Sequence, residues 1–382
     1  MTIRVTTDVP FGNAANVLVS ENNGTPEVSF TSHPHGGTES LWFCFRVIAD
    51  GAPLTCLRIV LTNPDTLLGV GHGDHVYPVV KRNADSPDAD WERLSAGTAQ
   101  ELPDGRWNVY WDIEKPGTPL DVAVCYPYGP DELSTLLNDT DKAFSVDTIG
   151  VTQHGRPMPR LSNDPGTAGG DRPGVYLMAR QHSGETTGSW VLDGALREFT
   201  RHRENAPLVW AVPFTNLDGV IEGDYGKDPF PWDLNRAWSS PAMRHEILVI
   251  QRDAERWRKR CRPVFALDLH APGANENTGV YAFQPDPGRA TGAWQRSNQW
   301  AIALRDSIGE YAWNEFDRVV HYGSRWQGNQ TMQRWFEERG ITALGIETPY
   351  GSVGTTVLTR EIYREIGARM ARVIIERCRS IS

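Results

Sequence analysis

The chain has 382 residues and a formal net charge of −10, from 38 basic and 48 acidic side chains. Such an acidic balance argues against non-specific binding to nucleic acid or to anionic membranes, because both need a basic face. No apolar run approaches the ~18 residues of a membrane span, and the first residues lack the hydrophobic segment of a signal peptide. The length predicts about two domains.

The cysteines are few, odd in number and widely spaced. They are Cys44, Cys56, Cys125, Cys261 and Cys378. Without paired spacing they argue against a disulfide framework and against a thiolate zinc cluster, and they favour a reducing, cytoplasmic location. The 14 tryptophans are many for this length. We interpret most of them as core residues, the alternative being that some line a substrate pocket.

The first third of the sequence is typical of β-structure. Segments rich in β-branched and aromatic residues, bounded by turn residues, cover 40–49, 54–63, 75–82, 107–113 and 119–128. No long amphipathic helix interrupts them, so short strands follow one another as in a sandwich or barrel. We predict an N-terminal antiparallel β-sandwich domain over residues 1–129.

The pattern changes after residue 130. A helix is predicted over 131–141, a hairpin over 146–161 that turns near His154, and a loop over 162–174. Apolar strands and amphipathic helices then alternate, with strands at 174–180, 208–214, 264–270 and 343–347 and helices at 186–202, 242–260, 291–311 and 359–378. This alternation predicts an α/β domain over 130–382 with a mixed, mostly parallel sheet, whose site lies where strands end.

Two segments that follow predicted strands carry zinc-ligand chemistry. In MARQHSGET, His182 and Glu185 stand three residues apart between a strand and a helix. In VFALDLHAPG, His270 ends an apolar strand. Two imidazoles and a carboxylate leave one position of a zinc ion open, which is the arrangement of a catalytic site. Taken separately, the first segment also fits an ordinary helix N-terminus, and the second also fits a histidine that is merely hydrogen-bonded at a strand end.

Two further segments carry polar groups at predicted turns or strand ends. Asp233, Asn235 and Arg236 bring an acid, an amide and a guanidinium together, which suits a carboxylate ligand and the orientation of a zinc-binding imidazole. Glu347 ends the strand ALGIE and can act as a general base beside a zinc-bound water. The alternative for the first segment is a surface ion-pair network, and the alternative for Glu347 is a glutamate at a strand end that is simply solvated.

Together these segments resemble the M14 metallocarboxypeptidases, and most closely the cytosolic carboxypeptidase subfamily. ARQHSGETTGSWVLDG is similar to that subfamily's R-x-HPGE-x-x-x-S-W segment, with Ser183 in place of proline. NLDGVIEGDY with DLNRAW, LDLHAPG, and VAVCYPYGPDELSTLL at 122–137 resemble further segments of the subfamily. The resemblance covers most of the chain and is weakest over residues 1–100.

The resemblance implies an α/β zinc-carboxypeptidase-like domain that binds one Zn²⁺ ion and cleaves a C-terminal amide bond. The metal ligands would be His182, Glu185 and His270, and the general base would be Glu347. The C-terminal carboxylate of a peptide would be held by Asn235 and Arg236, with Asp233 orienting a ligand.

One position departs from the family pattern. The arginine that stabilises the oxyanion would fall at Gly226, and Lys227 stands next to it. We predict that Lys227 takes this role, with Arg325 or Arg334 as alternatives; losing one such donor typically costs ~2.7–4 kcal/mol of transition-state stabilisation.

Three further substrate contacts are predicted. The substrate-binding phenol of the family would be Tyr322 or Tyr350, Trp232 would wall the pocket or join the core, and Arg325 would select an acidic C-terminal residue.

Three hypotheses follow from the sequence. The first is a zinc metallocarboxypeptidase acting on a peptide, with a possible preference for acidic ends. The second is a zinc amidohydrolase, deacylase or esterase of a small non-peptide substrate on the same scaffold. The third is a binding protein with a degenerate site, which the retained ligands and Glu347 disfavour. No nucleic-acid or membrane partner is expected, and an oligomer is compatible with the sequence.

Overall fold

The structure is a computed structural model that describes most of the chain. It describes residues 2–35, 37–51, 53–67, 69–73, 75–229, 232–284, 291–319 and 331–380. Within these residues no helix is both long enough and apolar enough to cross a membrane.

The N-terminal part consists of short strands. They are β1 (Thr2–Thr6), β2 (Ala15–Asn22), β3 (Thr25–Thr31), β4 (Gly37–Glu39), β5 (Cys44–Asp50), β6 (Cys56–Thr62), β7 (Val79–Lys81), β8 (Trp91–Arg93), β9 (Thr98–Glu101), β10 (Trp107–Glu114) and β11 (Leu120–Ala123), with a 3₁₀ turn at Pro64–Thr66. Two five-stranded sheets form, in the orders β1-β5-β11-β7-β8 and β2-β3-β6-β10-β9. The rings of Phe30 on β3 and Phe45 on β5 lie 4.6 Å apart, so the sheets pack face to face as a sandwich.

The predicted antiparallel sandwich is confirmed, with one exception in its pairing. Strands β3 and β6 run parallel, whereas the other pairs within the two sheets are antiparallel. The segment 2–31, which forms β1–β3, lies within the region predicted to be strand-rich, although no individual strand was assigned there. Strand β2 is largely exposed, and its Leu18 side chain is 61% accessible, so the alternating pattern of a half-buried strand is missing there.

Helices and strands alternate through the rest of the chain. The elements are α1 (Pro130–Asp139), β12 (Ser145–Val151), β13 (Pro157–Ser162), β14 (Pro173–Ala179), α2 (Thr186–Arg201), β15 (Leu208–Val212), α3 (Leu217–Glu222), β16 (Lys227–Pro229), α4 (His245–Trp257), β17 (Arg262–His270), β18 (Val280–Gln284), α5 (Thr291–Ile308), β19 (Ala312–Val319), α6 (Met332–Glu337), β20 (Thr342–Glu347), β21 (Ser352–Val353), β22 (Thr356–Val357) and α7 (Arg360–Ser380), with 3₁₀ turns at Leu234–Arg236 and Gly309–Tyr311.

Eight of these strands form one mixed sheet, in the order β12-β13-β15-β14-β17-β20-β18-β19. The central strands β15, β14, β17 and β20 are mutually parallel, and β18 also runs parallel to β19. The predicted mixed, mostly parallel sheet is therefore confirmed, as are the hairpin of β12 with β13 and the four long helices. Strands β18 and β19 and the short helices α3 and α6 were not predicted.

Alternate side chains of the central strands enter two cores on opposite faces of this sheet. On β14, Val175 and Leu177 join the core shared with α2, α5 and α7, and Tyr176 and Met178 join the core beneath α4 and α6. Burial on both faces explains the nearly continuous apolar sequence of β14, β17 and β20. The carboxyl ends of these parallel strands meet at one edge of the sheet.

A carboxyl group on α6 makes the stability of this fold depend on pH. The Glu337 carboxylate contacts Ser297 Oγ at 3.3 Å and Gln333 Nε2 at 3.5 Å. Burial raises the pKa of Glu337 from 4.5 to about 7. The folded state therefore binds this proton more tightly, and its contribution to the free energy of unfolding falls as pH rises from 4.5 to 7.

Glu337→Gln should remove this loss, because the neutral amide needs no proton. Compared with the wild type, we expect the variant to have a similar free energy of unfolding at pH 4 and one that is larger by about 1–2 kcal/mol at pH 8. This range already allows for the partial exposure of Glu337 to solvent. Urea unfolding at both pH values measures it. The neighbouring exposed Glu338→Gln is the control and should change stability by less than about 0.5 kcal/mol at either pH. A gain of the same size at pH 4 and pH 8 would contradict the assignment.

Candidate metal centre and active site

The segment after β14 places two ligand side chains in the interior. His182 and Glu185 are 4% and 1% accessible. The backbone reaches them through Arg180, whose φ of 63° lies in the left-handed region that non-glycine residues rarely adopt. The buried Arg180 guanidinium fixes this turn, because it donates to Ser183 O at 2.7 Å and to Tyr128 O at 2.8 Å. Burial lowers the pKa of Arg180 to about 10.

The structure brings His182, Glu185 and His270 to one point. The Nδ1 atoms of His182 and His270 each lie 2.8 Å from a different carboxylate oxygen of Glu185. The three candidate ligand atoms lie within 4.8 Å of one another, and all three side chains are buried. His270 reaches the site as the last residue of β17, next to β14 in the sheet. This donor set fits a tetrahedral zinc ion with one open position.

Carboxylates on the outer nitrogens fix the orientation of both imidazoles. His270 Nε2 lies 2.5 Å from Asp268 Oδ2, and His182 Nε2 lies 3.2 Å from Asp233 Oδ2. Each Nε2 is thereby engaged and each Nδ1 is left to face the site. Asp233 was predicted for this kind of contact, whereas Asp268 was not. The sequence could have indicated Asp268, because it lies two residues before His270 and residues two apart on a strand point to the same face.

The charged groups around the three candidate ligands favour a divalent cation. Burial opposes protonation of His182, but the charges of Glu185 and Asp233 outweigh it and raise the pKa to about 9. Asp268 and Glu185 likewise raise the pKa of His270 against burial. Although burial alone would raise the pKa of Glu185, the two imidazoles hold it well below its usual range. The carboxylates thus stabilise positive charge where the cation would lie.

Glu347 lies beside this centre at the end of β20. It pairs in register with His270, is 7% accessible, and its Oε2 has no hydrogen-bond partner among the described residues. Burial raises the pKa of Glu347 to about 7, with Glu185 adding to the effect and His270 opposing it. A buried carboxyl group with a pKa near neutrality suits a general base.

No family model matches the chain, but curated carboxypeptidases are similar to it in sequence. Cytosolic carboxypeptidase 6 of Caenorhabditis elegans is 26% identical over 226 residues, which are 53% of this chain and 48% of that protein. Human cytosolic carboxypeptidase 1 is 40% identical over 78 residues, which are 19% of this chain and 6% of that protein. The chain is an M14-like relative of the cytosolic carboxypeptidases. It spans about half or less of the length of these two relatives.

A solved structure shares the whole fold of this carboxypeptidase relative. It is a metallo-carboxypeptidase from Pseudomonas aeruginosa in complex with (2-guanidinoethylmercapto)succinic acid, with a TM-score of 0.76 and 19% identity. The match covers 100% of both chains. Because the coverage is complete, the N-terminal sheets belong to the shared fold along with the eight-stranded sheet.

The structure explains the departure from the carboxypeptidase pattern at Gly226. Its φ is +76°, and a Cβ built there would lie 2.3 Å from Ser183 Oγ and 2.8 Å from Ser183 N. Ser183, which stands where the family has proline, donates its hydroxyl to Asp224 O at 3.0 Å. Position 226 therefore has no room for an arginine side chain in this backbone conformation.

Lys227 lies within electrostatic reach of the candidate centre. Burial favours loss of its proton, but Tyr225, Glu185 and Glu347 oppose this and raise the pKa of Lys227 above its usual value. The lysine is therefore a cation near the candidate base. Arg334, an alternative to it, forms an exposed ion pair with Glu338 at 2.9 Å, so the structure does not bring it into the site.

Gly226→Ala tests this close contact. The variant should lose about 2–4 kcal/mol of unfolding free energy, because left-handed backbone strain and a steric clash act together. Gly340→Ala is the matched control, since Gly340 has the same φ of +76° and no atom within 4 Å of a built Cβ. It should lose only the backbone cost of about 1–2 kcal/mol. Equal losses in urea unfolding would show that the Ser183 contact is unimportant.

Three of the other predicted substrate residues, Asn235, Arg236 and Trp232, lie among the described residues. The Asn235 amide nitrogen lies 3.3 Å from His270 Nε2, and its oxygen accepts from Met332 N at 3.4 Å. The half-buried Arg236 donates to Asn235 O at 2.9 Å. Trp232 is 43% accessible and donates to Arg236 O, so it lies outside the core. Arg325 and Tyr322 lie outside the described residues.

Two buried phenols lie near the metal-binding segment. The Tyr350 hydroxyl is 3.5 Å from Gly184 O, and the ring of Tyr225 lies against Gly184. Burial raises the pKa values of both phenols, and each also influences the other. Of the two phenols considered from the sequence, Tyr350 therefore lies beside the candidate centre. Tyr225 was not predicted as a site residue.

A second cluster of possible ligands lies on α3 and the preceding hairpin. It contains His154, Asp218 and Glu222, of which only Asp218 is buried. Arg156 donates to both carboxylates, at 2.5 Å to Asp218 and 2.8 Å to Glu222. A guanidinium thus already neutralises this cluster, and it gives no reason to infer a second metal.

Proposed function

We propose that the chain is a zinc-dependent metallocarboxypeptidase that removes the C-terminal residue of a peptide. The observation that carries the proposal is the convergence of His182, Glu185 and His270 beside the buried Glu347. The names of the relatives support it. We also propose that residues 1–129 and 130–382 form separate domains and that the protein is cytoplasmic, in agreement with its five free cysteines.

The residues near the centre have complementary roles in this reaction. His182, Glu185 and His270 would hold a zinc ion, which would supply Lewis-acid polarisation and lower the pKa of water toward ~7. Glu347 accepts the proton of the attacking water and then delivers it to the leaving nitrogen. Burial, which raises the pKa of Glu347, favours the protonated form that delivers this proton.

Charged and polar groups of the chain bind the substrate and stabilise the negative charge that develops during the reaction. The Lys227 ammonium stabilises the oxyanion of the tetrahedral intermediate, as a point charge in place of the family's guanidinium. Asn235 and Arg236 bind the C-terminal carboxylate of the peptide. Trp232, Tyr322 and Tyr350 are proposed to border the substrate pocket, and Arg325 is proposed to favour an acidic C-terminal side chain.

A second candidate function is hydrolysis of a small non-peptide amide or ester by the same residues. The observation that favours it is the absence of space for an arginine at Gly226. A different charge at the oxyanion position would suit a different leaving group or substrate shape.

The test is incubation of the zinc-loaded protein with a peptide library that varies in its last residue, followed by mass spectrometry. We expect stepwise release of single C-terminal residues, fastest for glutamate and aspartate. The matched control is the same library with amidated C-termini, which Asn235 and Arg236 should not bind and which should stay intact. Turnover of amidated peptides or small blocked amides alone would favour the second function. Zinc binding without any hydrolysis would overturn both.

A further inference from the structure

A strand from the N-terminal part of the chain joins the candidate site. Strand β4 pairs antiparallel with β16, and Glu39 lies directly opposite Lys227 in the register. Opposite residues of an antiparallel pair place their side chains on the same face, with Cβ atoms about 4.5–5.5 Å apart. The two-stranded sheet therefore sets a carboxylate beside the ammonium proposed to stabilise the oxyanion.

Further contacts fix this pair against the metal-binding segment. Asn13 donates its amide to Gly223 O at 2.8 Å, four residues before Lys227. The side chain of the buried Trp42, three residues after Glu39, packs against Gly184 between two of the candidate ligands. The N-terminal sheets thus contact both the segment that leads to Lys227 and the metal-binding segment, and the pairing of β4 with β16 sets the position of Glu39 relative to Lys227.

The charges around Lys227 show why a positioning group is needed. Three carboxylates act on its ammonium, those of Glu185 and Glu347 at the centre and that of Glu39 on the paired strand β4. A flexible lysine attracted only by Glu185 and Glu347 would collapse onto the metal ligand and the base. A third carboxylate on a separate strand attracts the ammonium as well, which would keep it off the metal ligand and the base and leave it within reach of a substrate carbonyl oxygen.

We propose that Glu39 is a positioning residue that holds the Lys227 ammonium in the orientation needed to stabilise the oxyanion. The inference rests on the proposed function and adds to it a role for the N-terminal sheets. Strand β4 completes the active site, so the site is assembled from both ends of the chain.

The test is a double-mutant cycle of Glu39→Gln and Lys227→Ala in the zinc-loaded full chain, with a peptide cleaved by the wild type. Lys227→Ala should lower kcat by about 10²–10³-fold. Glu39→Gln should lower kcat by about tenfold with KM changed less than twofold, because it acts on the transition state only. In the Lys227→Ala background, Glu39→Gln should have no further effect.

Two further variants separate positioning from a structural role. Glu39→Asp keeps the charge and should recover part of the lost kcat, and Glu101→Gln on β9 is the matched exposed control, which should behave as wild type. An equal loss from Glu39→Gln in both backgrounds, or a loss confined to KM, would overturn the proposal. An unchanged kcat in Glu39→Gln would also overturn it.

Failure of the proposed function would be distinguishable from failure of this inference. If the wild type releases no residue from any peptide, the proposed function fails, and crystal structures of the wild type and Glu39→Gln decide the positioning role. Displacement of the Lys227 side chain in the variant supports it, and an unchanged side chain overturns it.

Discussion

Replacing Glu347 by glutamine is expected to abolish hydrolysis while leaving the bound metal in place. The amide has nearly the same shape as the carboxylate but cannot accept a proton at neutral pH. Glu347 is buried at the end of β20, opposite His270 in the sheet, and is not one of the three converging ligands. Loss of a general base typically lowers the rate by about 10²–10⁴-fold. The measurements are kcat with a peptide substrate and zinc content by mass spectrometry.

Glu198→Gln is the control for this variant. Glu198 is also a buried carboxylate, 4% accessible, but it lies near the end of α2 and pairs with Arg372 at 2.7 Å. Its amide can still accept from the guanidinium, so kcat should stay within twofold of the wild type. A Glu347→Gln variant with nearly wild-type kcat would remove Glu347 as the base. Loss of zinc together with activity would show instead that Glu347 supports the metal ligands.

The sequence is most informative where strands are buried on both faces. Strands β14, β17 and β20 have nearly continuous apolar sequences. Strand β14 is followed by His182, whereas β17 ends in His270 and β20 ends in Glu347. Parallel neighbours bring their carboxyl ends to one edge, which is why His182, His270 and Glu347 can be grouped from the sequence alone. Strand β2, which is exposed along nearly its whole length, lacks this signal.

Contacts between remote segments could not be read from the sequence. The direction of Lys227 depends on the left-handed backbone at Gly226 and on the contact of Gly226 with Ser183. The pairing of β4 with β16 depends on how the N-terminal sheets pack, and neither three-residue strand has a distinctive pattern. In both cases tertiary packing, which local residue preferences do not encode, decides the outcome.

Replacing Glu185 by alanine is expected to abolish zinc binding. Glu185 is the central member of the three candidate ligands, because each of its oxygens lies 2.8 Å from a different imidazole Nδ1. Its removal leaves two imidazoles, and we expect zinc affinity to fall by at least about 10³-fold. For the wild type, zinc at 100 times its Kd should stabilise the fold by about 2.7 kcal/mol, and the same zinc concentration should not stabilise the variant. Thermal unfolding with and without zinc, together with equilibrium dialysis, measures both effects.

Asp233→Asn separates a ligand from a residue that only orients one. Asp233 contacts His182 on the nitrogen that faces away from the centre, and its Oδ1 also accepts a hydrogen bond from Asn235 N at 2.7 Å. Asparagine can still cap that turn, so the fold should persist, while affinity falls by only about 10–100-fold. Saturating zinc should therefore still raise the unfolding temperature of Asp233→Asn. If Glu185→Ala binds zinc as tightly as Asp233→Asn does, the three converging side chains are not the metal site, and the proposed chemistry loses its centre.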